Sequence, residues 1–171
     1  MASLFRGLAF ALLCIYVLVA IPFRSYFQPF AVMSAIPFGF VGAVWGHALV
    51  GMPLTVLSLM GLLAVTGVVV NDSLVLVAFI NDYRKEGHSL GYAATVGAVR
   101  RFRPILLTSL TTFFGLAPML METSLQARFL VPMAVSLAFG VAFATIFILT
   151  IVPCCYLIIE DLKGLLGQSS E

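Results

Sequence analysis

The sequence predicts an all-α membrane protein, a polytopic bundle of five transmembrane helices with a short interfacial helix. Of the 171 residues, 62% are hydrophobic and 9% are charged, and the mean hydropathy is +1.15. A soluble domain needs more charge than this to cover its surface. The charges are also clustered, and they leave residues 25–71, 104–121 and 129–159 without any. About 20 apolar residues cross the ~30 Å of bilayer hydrocarbon, so these stretches are membrane spans, and the first holds more than one.

Five spans follow, and the breaks between them carry turn residues. Gly51 and Pro53 separate the second span from the third, as a tight helical hairpin requires. A short polar turn over residues 122–128 separates the fourth from the fifth. Residues 1–163 then form one transmembrane domain, and residues 164–171 form a C-terminal tail. The predicted spans are residues 7–23, 30–49, 54–80, 104–121 and 129–159.

Only one connection is long, at residues 81–103, and it is rich in basic residues. Its basic side chains are Arg84, Lys85, Arg100, Arg101 and Arg103. Apolar and small residues recur at helical spacing within it: Leu90, Ala93, Ala94 and Gly97. This pattern predicts an amphipathic helix on the membrane surface. A solvated loop is the alternative.

The basic residues also predict the orientation of the chain, because positively charged loops stay in the cytoplasm. With the long connection inside, Arg24, its five basic residues and Lys163 are cytoplasmic, which leaves Arg6 and Arg128 outside. The N-terminus is then periplasmic and the C-terminus cytoplasmic. An N-terminus on the periplasmic side needs a preceding segment that directs its export, so we expect further sequence upstream of Met1.

One acidic residue lies well inside a span. Asp72, flanked by Asn71 and Ser73, sits about 12 Å from the inner end of the third span at 1.5 Å per residue. A charge at mid-membrane costs at least ~2.5–3.5 kcal/mol, which makes such a residue a functional candidate. Asp72 is protonated, hydrated in a cavity, or paired with a group that this chain lacks, and a proton site uses the same chemistry. A neutral carboxyl that serves helix packing is the alternative.

The fourth span places hydroxyl groups on one helical face, at Thr108, Thr111 and Thr112. Such hydroxyls either relay protons, since each both donates and accepts, or serve helix packing and bond back to the preceding turn. Thr108 lies roughly 7 Å from the inner end of its span, so contact with Asp72 is possible. Arg101 either snorkels towards both or anchors the helix at the surface.

Gly42 and Gly46 form a GxxxG pattern in the second span, which indicates a close helix contact. Other classes of function find no support. The net charge of +2 does not favour nucleic acid. The three cysteines lie in apolar stretches, without metal-ligand spacing. There is no nucleophile–base pair, phosphate loop or metal motif, so we expect no enzyme, no cofactor and no bound metal.

Several segments carry a family resemblance over roughly residues 3–163. They are AIPFGFVGAVWG (35–46), GLLAVTG (61–67), VNDSLV (70–75) and RFRPILLTSLT (101–111). They resemble the resistance-nodulation-division (RND) efflux permeases, and within them the hydrophobe/amphiphile drug exporters. The resemblance implies a twelve-helix permease of the bacterial inner membrane, with two similar halves and large periplasmic domains. This chain would match its last five helices.

The resemblance also implies partners and an activity. Such permeases form homotrimers, exchange protons for amphiphilic compounds, and join a periplasmic adaptor and an outer-membrane channel. Their proton relay links an acidic pair in the fourth helix to a basic residue in the tenth and to a Thr and an Arg in the eleventh. Thr108 and Arg101 match the last two, whereas the basic position falls on Asn71. Asp72 then reshapes the relay, and the acidic pair belongs to the N-terminal part of the permease.

The sequence therefore predicts the C-terminal membrane part of a proton-driven efflux transporter, inactive alone. The alternative is a non-transporting five-helix scaffold or assembly protein. A reading frame upstream that encodes seven helices and two periplasmic domains favours the transporter. A third possibility, a sterol- or lipid-handling relative, fits the spans but not the motifs.

Overall fold

The computed structural model describes residues 2–124 and 127–165. Within that part, six α-helices and one turn of 3₁₀-helix, Ala127–Phe129, make up the fold. Five helical stretches are long and apolar enough to cross a membrane, which confirms the predicted all-α polytopic bundle. The helices are α1 (Ala2–Phe23), α2 (Gln28–Met33), α3 (Ile36–Val50), α4 (Val56–Lys85), α5 (Leu90–Leu120) and α6 (Val131–Leu165).

The second span consists of two helices rather than one. α2 ends at Met33 and α3 begins at Ile36. Pro37 lies in the first turn of α3 and has no N–H to donate to the carbonyl of Met33 four residues earlier. The Ser34 hydroxyl donates to the Ala31 carbonyl at 2.7 Å in the gap. The continuous helix expected at residues 30–49 is therefore broken near its N-terminal end.

The helix expected within the long connection is the first part of α5. One helix of 31 residues runs from Leu90 past Pro104 to Leu120, about 46 Å at 1.5 Å per residue. Ala93, Ala94 and Gly97 are buried. A Cβ at Gly97 would lie 2.7 Å from a side-chain carbon of Ile80 on α4. This close contact holds the segment along the axis of α5.

The turn between α3 and α4 contains the Gly and Pro that predicted it. Gly51 ends α3 with φ +72°, a left-handed conformation that favours glycine. Thr55 begins α4 with a capping box: the Ser58 N–H donates to Thr55 Oγ1, and the Thr55 N–H donates to Ser58 Oγ at 3.0 Å. Two donors that an open helix end would leave unsatisfied are thereby paired.

α6 forms the centre of the bundle and packs against α3, α4 and α5. Small residues let the helices approach: a Cβ at Gly61 of α4 would lie 2.6 Å from the Met133 carbonyl oxygen, and one at Gly140 would lie 2.7 Å from Val65. α1 is the least buried span and touches α2 and α4. α6 continues to Leu165. Of the tail predicted at 164–171, residues 166–171 lie outside the described part.

Candidate functional site

Asp72 lies midway along α4 and is half-buried. Its neighbour Asn71 is exposed and interacts with the Asp72 carboxyl. Ser73 is fully buried, and its hydroxyl has no hydrogen-bond partner among the described residues. This short polar segment thus interrupts a long apolar helix, and part of it faces outwards from the bundle.

The threonines of α5 hydrogen bond to their own helix. Thr108 Oγ1 donates to the Ile105 carbonyl at 2.9 Å, and Thr112 Oγ1 donates to the Thr108 carbonyl at 2.8 Å. Thr111 Oγ1 lies 2.9 Å from the Leu107 carbonyl. Thr108 is nevertheless exposed. Each hydroxyl hydrogen is therefore engaged locally, while the oxygen lone pairs can still accept a hydrogen bond.

Arg101 is half-buried on α5 and lies over an aromatic ring of α4. Its guanidinium carbon is 4.8 Å from the centroid of Phe79, within the range of a cation–π interaction. Its Nε is buried and has no hydrogen-bond partner among the described residues. Neither Asp72 nor Thr108 forms a hydrogen bond or ion pair with Arg101 in the described part.

The contact between Arg101 and Phe79 allows the depths of Asp72 and Thr108 in the bundle to be compared. Asp72 precedes Phe79 by seven residues on α4, and Thr108 follows Arg101 by seven residues on α5. Seven residues make nearly two helical turns, about 10 Å along the axis. Since the two helices are consecutive and run in opposite directions, and Gly97 packs against Ile80, Asp72 and Thr108 lie within about one helical turn of each other in depth. Each lies close to the helix face that carries the Arg101–Phe79 contact.

Gly42 and Gly46 lie on α3 where it crosses α6. A Cβ at Gly42 would overlap the Cβ of Phe143 and lie 2.7 Å from the Phe139 carbonyl oxygen. A Cβ at Gly46 would overlap the Phe139 side chain. Both glycines are buried, so any larger side chain would push the two helices apart.

A partly buried polar chain at the other end of α4 was not predicted from sequence. Asn81 and Gln28 exchange two amide hydrogen bonds, of 2.9 and 3.2 Å. The Tyr156 hydroxyl donates to Asn81 Oδ1 at 2.5 Å and accepts from Arg84 at 3.4 Å. Arg84 also pairs with Glu160 at 2.6 Å. The chain ties α2, α4 and α6 together.

A second contact, at the hairpin between α3 and α4, also went unpredicted. His47 of α3 is buried, and its Nε2 lies 2.8 Å from the hydroxyl of Ser58 in the α4 capping box. Its Nδ1 lies 2.9 Å from the Ala43 carbonyl. The contact joins the two helices of the hairpin. Among the described residues, no group of three or more His, Cys, Asp or Glu side chains is placed to hold a metal ion.

The fold and these intramembrane polar groups define a multi-pass membrane protein with candidate ion-handling residues, and comparison with known proteins gives its family. The AcrB/AcrD/AcrF family matches residues 2–160. The chain belongs to this family, and its relatives are RND permeases. The resemblance drawn from the sequence motifs is therefore confirmed at the level of the family.

The relatives differ in what their names say they export. The chain is 34% identical over 146 residues to the cobalt-zinc-cadmium resistance protein CzcA of Cupriavidus metallidurans, over 85% of this chain and 14% of CzcA. It is 29% identical over 154 residues to the multidrug resistance protein MdtC of Pantoea ananatis, over 90% of this chain and 15% of MdtC. The drug-exporter branch stays a prediction.

A solved structure shares the fold. The crystal structure of a heavy metal efflux pump superposes with a TM-score of 0.78 at 31% sequence identity, over 88% of this chain and 15% of the pump. The chain spans about one seventh of the length of the relatives it matches.

Proposed function

We propose that this chain is the C-terminal membrane part of a proton-driven RND efflux transporter that requires the rest of the permease to work. One observation carries the proposal. Asn71 and Thr108 lie within membrane-spanning helices yet are exposed in the described bundle, and Asp72 beside them is half-buried. Polar side chains at such depth seldom face lipid. A further part of the protein therefore covers them, and we assign that role to the N-terminal part of the permease.

The exposed faces suit close contact with other helices. Small residues on a helix surface let a neighbouring backbone approach in the membrane. The exposed stripe of α4 comprises Met60, Ala64, Gly67 and Asn71. That of α5 comprises Pro104, Thr108, Thr111 and Gly115. Apart from the backbone of their own helix and their chain neighbours, no described atom lies within 4 Å of a Cβ added at Gly67 or Gly115, which leaves room for a neighbour.

In this proposal Asp72, Asn71, Thr108 and Arg101 supply this chain's part of the proton relay. The Asp72 carboxylate accepts one proton and becomes a neutral carboxyl, and it later releases that proton on the other side. The positive charge of Arg101, about 10 Å from Asp72 along the helix axis, favours the anionic state at a distance, and the Thr108 oxygen accepts a hydrogen bond from water or from the neutral acid. Gain and loss of one charge at Asp72 then shift the equilibrium between two arrangements of the helices.

The substrate is an amphiphilic compound in our first proposal. A heavy-metal cation is the second candidate, since CzcA and the heavy metal efflux pump are both over 30% identical to this chain. We further propose a homotrimer in the inner membrane, with a periplasmic N-terminus for this segment and a cytoplasmic C-terminus. A periplasmic adaptor and an outer-membrane channel complete the proposed assembly.

The test uses the complete permease in proteoliposomes with an imposed pH gradient. Asp72→Asn should abolish both substrate movement and the coupled proton flux, at unchanged expression, whereas Asp72→Glu should keep part of each. The matched control is Asp161→Asn, which removes an exposed carboxylate of α6. A comparison of Thr108→Ala, which removes the hydroxyl, with Thr108→Ser, which keeps it, tests whether the hydroxyl is required.

Efflux and proton flux that persist in Asp72→Asn would reduce Asp72 to a packing residue. Wild-type protein that moves neither drugs nor metal ions under a gradient would instead favour the scaffold. Parallel measurements with a fluorescent amphiphile and with Zn²⁺ separate the two substrate candidates.

A further inference from the structure

A cavity of about 670 Å³ opens at the end of the bundle where α1 and α4 end and α2 begins. Asn81 in its wall follows Asp72 by nine residues, about 13 Å along α4, so the cavity is separate from the candidate relay. Its polar lining comprises Arg24, Gln28, Asn81, Asp82, Arg84 and Lys85.

Cations outnumber acids in this cavity, and one cation is unmatched. Lys85 pairs with Asp82 at 3.2 Å, and Arg84 pairs with Glu160. Arg24 forms no ion pair or side-chain hydrogen bond among the described residues, and its side chain is exposed. Its backbone has φ +48°, a left-handed conformation that disfavours residues other than glycine and asparagine. The net charge of the cavity is thus positive and centres on Arg24.

The donors on the cavity floor are held in place by the partly buried polar chain. Gln28 and Asn81 fix each other through two amide hydrogen bonds. Arg84 is held by Tyr156 and Glu160, and both of these bonds leave from the same guanidinium nitrogen. Other donors of the guanidinium are therefore available to an anion. A planar guanidinium in fixed position suits phosphate oxygens well.

A second cavity, of about 490 Å³, shares Arg24 with the first and follows α1 towards the membrane interior. Its walls on α1 are Tyr16, Val17, Ala20 and Ile21, which lie on one helical face. A cationic, hydrogen-bonding cavity thus adjoins a mostly apolar groove at the end of the spans. A phospholipid has the matching shape, with an anionic phosphodiester beside an acyl chain.

We propose that this composite site binds an anionic phospholipid. The headgroup phosphate lies against Arg24, Lys85 and Arg84, and one acyl chain lies along α1 over Val17 and Ile21. The site goes beyond the proposed transport and does not depend on it. A free soluble anion would use the first cavity and leave the groove on α1 empty, so occupancy of the groove distinguishes the two sources of phosphate.

Native mass spectrometry of the purified protein tests this site with two probes, phosphatidylglycerol and phosphatidylethanolamine. The wild type should retain the anionic lipid preferentially. Arg24→Gln and Lys85→Gln should each lower that retention about five-fold. Arg103→Gln, which removes an exposed cation of α5 that lies outside the cavity, should change it little. Thermal unfolding of each variant verifies folding, and Lys85→Gln keeps the test decisive if Arg24→Gln is unstable.

The groove is tested by Ala20→Phe, which fills it without changing charge and should also lower retention. Equal retention of both lipids, or an equal loss in Arg103→Gln, would overturn the proposal, because charge on the surface as a whole would then explain the binding. The proposal would also be overturned if millimolar inorganic phosphate displaced phosphatidylglycerol and Ala20→Phe did not change lipid retention. The site would then bind a soluble anion.

Discussion

Asn81 is the centre of the partly buried polar chain, so its replacement should lower the free energy of unfolding more than replacement of Tyr156, which binds it. Asn81→Leu leaves the Tyr156 hydroxyl without its acceptor and the Gln28 amide without its partner, and both of these residues are buried. A buried polar group without a partner costs about 1–3 kcal/mol. The Tyr156 hydroxyl bears this cost in full, whereas the two lost Gln28–Asn81 hydrogen bonds border the open cavity and count as ordinary hydrogen bonds of about 0.5–1.5 kcal/mol each, which places the total loss in free energy of unfolding at about 2–6 kcal/mol.

Tyr156→Phe should cost less, although Tyr156 is fully buried. Asn81 Oδ1 still accepts from Gln28, and Arg84 keeps its ion pair with Glu160. Each remaining polar group then keeps a partner. The free energy of unfolding falls only by the contribution of ordinary hydrogen bonds, about 1–2 kcal/mol. The order of the two variants, rather than either value, is the prediction.

The assay is thermal unfolding of the purified protein in detergent, followed by tryptophan fluorescence and by helical circular dichroism. Tyr92→Phe is the matched control, because Tyr92 is exposed and its hydroxyl makes no hydrogen bond in the described structure. A change of 1 kcal/mol corresponds to about 2–4 °C for a chain of this size. An Asn81→Leu midpoint equal to or above that of Tyr156→Phe would refute the central role of Asn81.

Two further predictions concern the crossing of α3 and α6 and the turn that follows α5. Gly46→Ala should lower the unfolding temperature, because its methyl group would overlap Phe139, whereas Gly91→Ala, with open space around it, should not; equal midpoints would contradict the close crossing. Backbone N–H groups of Ser124 and Thr123 hold the pKa of Glu122 below its usual value. Since the lowered pKa belongs to the folded turn, protection of those two amides from hydrogen exchange should be complete above the ordinary pKa of Glu122. It should be lost as the pH falls through the lowered value, and Glu122→Gln should remove this dependence. Protection that does not change with pH would show that the carboxylate is not the acceptor.

The spans were predictable because a bilayer imposes length and polarity on any helix that crosses it. Hydropathy located α4 and α6 from the sequence alone. It did not locate the break in the second span, where Pro37 outweighs a continuous apolar pattern. Hydropathy also placed the start of the fourth span at Pro104. In the structure α5 is one continuous helix through the charged segment, and Gly97 packs against Ile80 there.

The candidate site was predictable only in part. Asp72 was recognisable because an isolated acid in an apolar span is costly. The polar chain was not, because Gln28 and Asn81 are 53 residues apart, and Asn81 and Tyr156 are 75 apart. Each of these residues alone is unremarkable at the end of a span. Their pairing follows from the way α2, α4 and α6 pack, which a one-dimensional pattern does not contain.

The central position of α6 has a consequence for biosynthesis. α6 follows the other helices in the chain, so the ribosome completes α3, α4 and α5 before it makes the helix against which all three pack. Gly42, Gly46 and Gly61, whose neighbours in the folded protein belong to α6, then have no α6 to pack against until that helix enters the membrane. Assembly of this bundle is therefore a late event, and it follows insertion of the individual helices.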